Sequence, residues 1–289
     1  MNTIKPMLAK TYDSEKQLPL YMARNEGFIV QPKLDGVRCL VQFSERGEVI
    51  AYSRNQKPLV IGDTLVKALE ALHRAAYPKL KPGVFLDGEL YIHGLSFQEI
   101  QGKVSKQDPS SEDKLELQYH IYDYHDPSTK MDFEDRYDIL SDIHFGNKTP
   151  AIKFVATMYS CKKDIEYYME TFVGGGYEGM IIRDPDAVYA EGHRSPGLLK
   201  YKRWYDEEFK VIDIEEGRGK NKNTAILVCT IGRCSRTFKV TAPGKYAEKA
   251  HVWSNPHLFI DKPVTVKYQE KTKKGIPRFP IALGFKEDR

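Results

Sequence analysis

Short segments in which apolar and polar residues alternate recur between residues 28 and 183. They are rich in β-branched and aromatic residues, a composition typical of strands. The segments are 28–31, 39–43, 49–53, 84–92, 115–124, 151–159 and 178–183. Helical patterns interrupt them, so the sequence predicts an α+β fold with mixed or antiparallel sheets.

Four segments carry the apolar spacing or the capping residues of helices. Residues 62–77 place apolar side chains three and four positions apart. Ser96 and Glu99 have the spacing of a capping box, and Asp132 is placed to cap a further helix. The last predicted helix, 161–173, runs into three glycines, which favour its end there.

The pattern changes after about residue 204, where only short strands and one helix are indicated. The strands are 209–216, 225–231, 236–241, 263–270 and 280–285, and the helix is 244–252. Five strands with one inserted helix predict a small β-barrel of the OB-fold type. We place the boundary in the polar stretch 204–208, which gives two domains, 1–204 and 205–289.

Composition changes this picture little. Hydrophobic residues make up 41% and charged residues 29% of the chain, values typical of a folded protein. The start of the chain lacks the apolar core of a signal peptide, and there is no apolar run of membrane-spanning length, so we expect a cytoplasmic protein without membrane contact. The four cysteines show no C-x2-C spacing and are expected to be free, buried thiols.

The net charge of +4 permits a polyanionic partner, and basic residues cluster at 200–204, 217–223 and 270–275. Two stretches look like nucleotide-binding motifs, but the residues around them do not support that interpretation. Gly174, Gly176 and Gly179 satisfy G-x-G-x-x-G, but they follow a helix and open a strand, the reverse of a dinucleotide fingerprint. The stretch 217–221 lacks the Ser or Thr that must follow Gly-Lys in a phosphate-binding loop.

The candidate chemistry starts at Lys33, which lies in K-L-D-G-V-R directly after the strand 28–31. Pro32 and Gly36 bracket it, a rigid residue before and a permissive one after, which favours a defined turn facing a pocket. A lysine needs such a setting to act as a nucleophile, because its amine is protonated near pH 7 unless burial or cationic neighbours lower its pKa.

Five further motifs follow in order: Ser53-Arg54, Asp87-Gly88-Glu89, Tyr122-Asp123, Glu178-Gly179-Met180-Ile181-Ile182-Arg183 and Leu198-Leu199-Lys200-Tyr201-Lys202. Together with the lysine motif, this set resembles the nucleotidyltransferase motifs of ATP-dependent DNA ligases over nearly the whole chain. The resemblance implies a nucleotidyltransferase (adenylation) domain followed by an OB-fold domain. With only 32 residues before Lys33, we expect the minimal viral or phage type, and ATP rather than NAD+.

The resemblance implies roles for individual residues. Lys33 would attack the α-phosphate of ATP and form a lysyl-AMP intermediate. Glu178 would bind Mg2+ (or Mn2+), and Glu89 would bind the ribose hydroxyls and is a second candidate for the metal. The other expected ATP/AMP contacts are Gln31 at the adenine edge, Tyr122 stacked on the adenine, Arg38, Arg54, Lys200 and Lys202. Lys200 and Lys202 are two apart on a strand, so both would face the same phosphate.

The expected partner is nicked duplex DNA, bound by a monomer. Arg38, Arg54 and Arg194 resemble contacts to the 5′-phosphate of the nick. Lys220 and Lys222 are candidate DNA contacts in a loop, as is the stretch 101–114, which we also expect to be a loop. The last motif departs from the family's Arg-x-Asp-Lys pattern. Its candidate pyrophosphate-orienting residues are Arg278, Lys286, Asp288 and Arg289.

The same apparatus occurs in RNA ligases and in mRNA capping guanylyltransferases, which remain alternatives. The Glu-Gly opening at residue 178 and the ending Pro-Arg-Phe-Pro at 277–280 favour a DNA ligase that seals 3′-OH/5′-phosphate nicks through a DNA-adenylate. A non-enzymatic alternative is an OB-type nucleic-acid-binding module on an inert scaffold. Such a module would have no need of an intact Lys33.

Overall fold

The computed structural model describes residues 4–12, 27–147, 149–232, 236–272 and 274–286. The chain divides into two compact units, residues 1–201 and 202–289. No helix within these ranges is long and apolar enough to cross a membrane. Cys39 and Cys229 are free and buried, as expected, whereas Cys161 is free and only partly buried. Cys234 lies outside the described residues.

The first unit contains two five-stranded sheets. Its strands are β1 (Leu8–Thr11), β2 (Phe28–Lys33), β3 (Val37–Phe43), β4 (Val49–Ser53), β5 (Phe85–Tyr91), β6 (Gln118–His125), β7 (Ile152–Phe154), β8 (Met158–Ser160), β9 (Gly179–Arg183) and β10 (Arg194–Lys202). One sheet has the order β1-β10-β9-β2-β8 and the other β4-β3-β5-β6-β7. Parallel pairs (β1 with β10, β6 with β7) and antiparallel pairs occur together, so the predicted mixed sheets are confirmed.

Helices cover these sheets. They are α1 (Asp63–Ala76), α2 (Phe97–Ser105), α3 (Glu112–Leu115), α4 (Phe133–Gly146) and α5 (Ile165–Gly174). The capping box of Ser96 and Glu99 is formed at the start of α2, and the Asp132 carboxylate caps α4 by accepting from the Asp135 amide at 2.9 Å. The apolar stripe of α1 joins the largest apolar core, against the second sheet.

Two local predictions were wrong. Segment 151–159 was expected to be one strand, but it forms β7 in one sheet and β8 in the other, so the chain passes between the sheets there. The stretch 101–114 is not a loop throughout, because α2 continues to Ser105 and α3 begins at Glu112. Lys114 is buried, and its ammonium donates to the carbonyls of Val60 (2.5 Å) and Val104 (3.3 Å). The Lys114 ammonium therefore stabilises the fold and is not presented to solvent.

The second unit is built mainly from one five-stranded sheet. Its elements are β11 (Tyr205–Glu216), β12 (Ala225–Thr230), β13 (Thr237–Thr241), α6 (Tyr246–Ser254), β14 (Pro263–Tyr268), β15 (Glu270–Lys271), β16 (Pro277–Arg278) and β17 (Ile281–Phe285). The order is β13-β12-β11-β14-β17, and the edge strands β13 and β17 contact each other, as in a small barrel. The expectation of five strands with one inserted helix is confirmed for this sheet.

A buried cluster of charges links the two sheets of the first unit. Asp123 on β6 accepts from the guanidinium groups of Arg136 on α4 (2.8 and 3.2 Å) and Arg183 on β9 (2.6 Å). Burial alone would raise the pKa of Asp123, but the two arginines outweigh it and lower the pKa to about 2. The cluster therefore joins β9 of one sheet to β6 of the other.

We expect Asp123→Asn to destabilise the protein by about 3–5 kcal/mol, because it leaves two buried guanidinium groups without their counter-charge. Urea denaturation followed by circular dichroism measures the change. The matched control is Asp142→Asn, which removes an exposed pair with Lys79 and should cost less than about 1 kcal/mol. Equal losses in the two variants would contradict the structural role of this cluster. Since the folded pKa is depressed, the contribution of Asp123 should be lost only as the pH falls from about 4 towards 2.

Candidate active site

Lys33 is the last residue of β2, whose first five residues are buried. Pairing with β9 sets Lys33 opposite Gly179, and the amide of Glu178 donates to the Lys33 carbonyl at 3.0 Å. The Lys33 ammonium forms an ion pair with the Glu178 carboxylate and also donates to the Leu34 carbonyl at 3.4 Å. The candidate nucleophile therefore faces a carboxylate within the first unit, and its side chain is 20% exposed.

Gly36 is required by a close approach to the neighbouring strand β5. A Cβ atom at this position would lie 2.4 Å from the Leu90 carbonyl oxygen and 2.8 Å from the Glu89 side chain. The sequence predicted a permissive turn residue, but the physical reason lies in this contact. Only glycine lets the turn after Lys33 pass so close to Glu89.

Glu89 lies on β5 beside the lysine turn, and the Tyr122 hydroxyl donates to its carboxylate at 3.3 Å. Burial raises the pKa of Glu89 to about 7, although Lys33 and Arg38 act to lower it. A carboxylate held in this way accepts hydrogen bonds when ionised and donates one when protonated. Lys33, Glu89, Tyr122 and Glu178 are thus brought into one region of the first unit.

Arg38 is held on three sides. Its Nε donates to Asp87 at 2.8 Å, its Nη2 pairs with the other oxygen of the same carboxylate, and its Nη1 donates to the Met7 carbonyl at 2.8 Å. Its guanidinium carbon lies 5.6 Å from the centre of the Tyr122 ring. Burial would lower the pKa of Arg38, but Asp87 raises it well above its ordinary value, so the group stays charged.

Gln31 is buried and its amide is engaged within the protein. Nε2 donates to the Tyr122 carbonyl (3.3 Å) and to the Thr157 hydroxyl (2.8 Å), while Oε1 accepts from Arg183 Nε (2.8 Å). Both amide hydrogens are therefore used, and an adenine edge would meet at most the second lone pair of Oε1. The structure thus gives Gln31 a role in holding the main chain at Tyr122.

The remaining candidates of the first unit are more open to solvent. Arg54 is exposed in the turn after β4. Arg194 is exposed at the start of β10 and donates to the Ala9 carbonyl at 2.8 Å. Lys200 is partly buried on β10, opposite Thr11 of β1.

The remaining candidates lie in the second unit, which begins at Lys202, the last residue of β10. Lys202 donates to Gln269 at 3.0 Å and lies 5.6 Å from the centre of the Phe279 ring. Arg278 pairs with Glu270, and Lys286 pairs with Glu208 at 2.7 Å. Lys220 and Lys222 are exposed in the loop between β11 and β12. Asp288 and Arg289 lie outside the described residues.

Sequence reasoning assigned no role to Asp87, Asp123, Arg183 or Tyr189. The first three lie inside motifs that resemble those of the ligases, and their place in a motif could have identified them as functional residues. Tyr189 lies in no such motif, yet its hydroxyl donates to Asp87 at 2.6 Å. A single tyrosine in a connecting segment leaves no periodic pattern that would single it out.

Within the described residues, no three His, Cys, Asp or Glu side chains are grouped as a metal centre. Glu89 and Glu178 nevertheless offer carboxylate oxygens near Lys33, and Mg2+ binds through one or two carboxylates while keeping waters and phosphate oxygens as its other ligands. The donor set therefore fits Mg2+ that arrives with a phosphate-bearing substrate.

Comparisons with known proteins match this arrangement to one family. Residues 6–202 match the ATP dependent DNA ligase domain, and residues 216–286 match the DNA ligase OB-like domain. Since the first match alone spans more than half of the chain, the chain belongs to the ATP-dependent DNA ligase family. The DNA ligase of African swine fever virus (isolate Pig/Kenya/KEN-50/1950) is 30% identical over 299 residues, which cover 98% of this chain and 69% of the viral protein.

Solved structures agree on the fold. A structure from an analysis of the Lig E DNA ligases matches with a TM-score of 0.76 and 24% identity, over 99% of this chain and 100% of that one. The Chlorella virus DNA ligase-adenylate matches with a TM-score of 0.53 and 23% identity, over 99% of both chains. The predicted order of an adenylation domain followed by an OB-like domain is confirmed, and the protein is an ATP-dependent DNA ligase with ATP as its co-substrate.

In the absence of nucleotide and divalent metal, we expect Glu89→Gln to increase the free energy of unfolding. The increase should be larger at high pH. Below pH 4.5 Glu89 is protonated whether folded or unfolded, so its ionisation costs nothing there. Between about pH 4.5 and 7 the folded state binds more protons than the unfolded state, so stability falls as pH rises. The gain should grow through this window and level off above pH 7 at roughly 1–2 kcal/mol, because the side chain keeps some solvent contact.

Urea denaturation in EDTA at pH 5, 6, 7 and 8 measures this gain. Glu45→Gln is the control, since Glu45 is exposed in the turn after β3 and its substitution makes the same chemical change outside the site. A gain for Glu89→Gln that is the same at all four pH values would show that the ionisation of Glu89 is not strained by the fold.

Proposed function

We propose that this chain seals nicks between a 3′-OH and a 5′-phosphate in duplex DNA, acting as a monomer with ATP and Mg2+ (or Mn2+). The observation that carries the proposal is Lys33, held at the end of a buried strand with Glu178 and Glu89 beside it. A surface lysine in a salt bridge would not need two acidic side chains and an aromatic ring from three other parts of the chain.

The first proposed step is self-adenylylation. The Lys33 amine, after losing a proton, attacks the α-phosphorus of ATP, a phosphoramidate bond forms and the bond to pyrophosphate breaks. Glu89 accepts hydrogen bonds from the ribose hydroxyls and Tyr122 stacks on the adenine. Mg2+ held by Glu178, with Glu89 as a second ligand, would neutralise charge on the α-phosphate. Lys200 and Lys202 stabilise the same developing charge.

The next two proposed steps use DNA. The 5′-phosphate of the nick attacks lysyl-AMP and frees Lys33, and the 3′-hydroxyl then attacks the DNA-adenylate and releases AMP. Arg38, Arg54 and Arg194 contact the nick phosphate, a task suited to guanidinium groups. Residues 1–204 form the adenylation domain, and residues 205–289 form the OB-fold domain, whose Arg278, Lys286, Asp288 and Arg289 orient the pyrophosphate.

The proposal predicts that Lys33→Ala abolishes covalent labelling by [α-32P]ATP while the variant still seals a nick that already carries 5′-adenylate. The reason is that only the first step forms a bond to the lysine. A gel assay of both reactions checks this, with thermal melting to show that the variant is folded. Labelling of the folded Lys33→Ala variant, or wild-type protein that neither labels nor seals, would overturn the proposal.

Nicked DNA, nicked RNA and hybrid duplexes, each with ATP, GTP or NAD+, separate the related activities. We expect sealing of nicked DNA with ATP to be fastest. Preference for nicked RNA would favour an RNA ligase, and transfer of GMP from GTP would favour a capping guanylyltransferase.

The exposed loop between β11 and β12 is the proposed DNA contact of the OB-fold domain. Its backbone is ordered by a bond from the Gly217 amide to the Thr224 carbonyl (2.8 Å), so Lys220 and Lys222 are presented on a defined turn. Replacing both by Ala should weaken nick binding and lower the salt slope by up to about 1.8, since each phosphate contact contributes about 0.9.

Fluorescence anisotropy with a nicked duplex at several salt concentrations measures the slope. The control removes the same charge from the first unit through Lys79→Ala with Lys81→Ala, two lysines already paired with Asp142 and Asp126. An unchanged slope in the Lys220/Lys222 variant, or the same loss in the control, would show that the loop does not contact DNA.

A further inference from the structure

Tyr189 lies in the segment that connects β9 to β10 and reaches the charged residues behind the active site. It is only 8% exposed, and its hydroxyl donates to Asp87 Oδ2 at 2.6 Å. Asp87 is fully buried and forms the two-pronged pair with Arg38. Tyr189 is thus linked through Asp87 to Arg38, the last residue of the lysine motif.

The ring of Tyr189 is itself clamped. It stacks on His125 with ring centres 4.2 Å apart and an angle of 13° between the planes, and the Arg136 guanidinium carbon lies 5.6 Å from its centre. His125 is in turn bonded to Glu191 at 2.7 Å, in the same segment as Tyr189. The hydroxyl cannot leave Asp87 without disturbing these contacts.

The third bond to Asp87 constrains the geometry of the pair. A two-pronged pair requires the carboxylate and guanidinium planes to be aligned, and rotation of the carboxylate breaks one prong. Asp87 Oδ2 accepts from both Arg38 and Tyr189, so the tyrosine opposes that rotation. The bond from Arg38 to the Met7 carbonyl then fixes the remaining end of the guanidinium.

We propose that Tyr189 is a positioning residue for DNA sealing, which fixes the Asp87 carboxylate and through it the orientation of Arg38. The inference rests on the proposed contact of Arg38 with the nick phosphate. It adds to the sealing reaction a residue outside the ligase motifs, and it predicts a defect in the steps that use DNA.

The test is Tyr189→Phe, which removes the hydroxyl and keeps the ring. We expect the single-turnover rate of sealing a pre-adenylylated nick to fall roughly tenfold, since a charge-assisted bond is lost. Tyr124→Phe is the matched control, because it removes a tyrosine hydroxyl that donates to the Lys79 carbonyl at 2.9 Å elsewhere in the same unit. It should seal at the wild-type rate, and thermal melting shows that both variants are folded.

A double-mutant cycle with Arg38→Lys separates positioning from general destabilisation. Lysine keeps the charge but loses the two-pronged geometry, so Tyr189→Phe should cost less than about twofold in that background. A wild-type rate for Tyr189→Phe, or the same cost in both backgrounds, would overturn the inference. Wild-type protein that seals no nick would overturn the proposed function and this inference with it, and the wild-type assay alone reports that failure.

Discussion

The pairing of β2 with β9 is the constraint on which the active site depends. This pairing places Lys33 opposite Gly179, so that Glu178 emerges beside the lysine amine. A shift by one residue would turn every side chain of β2 to the other face and remove Lys33 from Glu178. The register is supported from behind, because Arg183 of β9 binds Gln31 of β2 and Asp123 of β6. The buried ion cluster thus aligns both sheets and the strand that carries Lys33.

The site also concentrates charge that burial disfavours. Glu89 is held where burial raises its pKa to about 7, against the attraction of Lys33 and Arg38. A sequence selected only for stability would place an amide or an apolar residue at such a position. A carboxylate there therefore costs stability in the absence of a bound partner. Asp123 is the contrasting case, since its two arginines lower its pKa and its burial serves the fold.

Local patterns predicted the fold where the signal was local. The alternation at 49–53, the capping box of Ser96 and the cap of Asp132 all correspond to elements of the structure. Contacts between distant segments could not be read in this way. The strand β1 was missed because four residues carry too little periodicity, and its role comes from parallel pairing with β10, nearly two hundred residues later. Segment 151–159 was read as one strand because a change of sheet leaves no mark in its composition.

The candidate site was likewise predictable only where local sequence motifs carried the information. Lys33, Glu89, Tyr122 and Glu178 lie in motifs with fixed spacing, and the structure brings them together. Arg278 and Lys286 in the second unit lie in a divergent motif, and both pair with carboxylates there. Resemblance to the family's last motif selected these residues, but the identity of their partners depends on pairing across the barrel sheet, which no local pattern encodes.

The predicted phosphate-binding residues form ion pairs with carboxylates, and these ion pairs differ in how readily a phosphate can replace the carboxylate. Lys286 and Glu208 are largely solvent-exposed, so their attraction is weak and a phosphate can replace the carboxylate at little cost. Arg38 is different, because Asp87 is fully buried and would be left without a counter-charge if the arginine moved away. Arg38 therefore keeps a fixed position and offers the N–H groups that Asp87 and Met7 leave unused. The residues that hold Asp87 consequently determine the direction in which those N–H groups point.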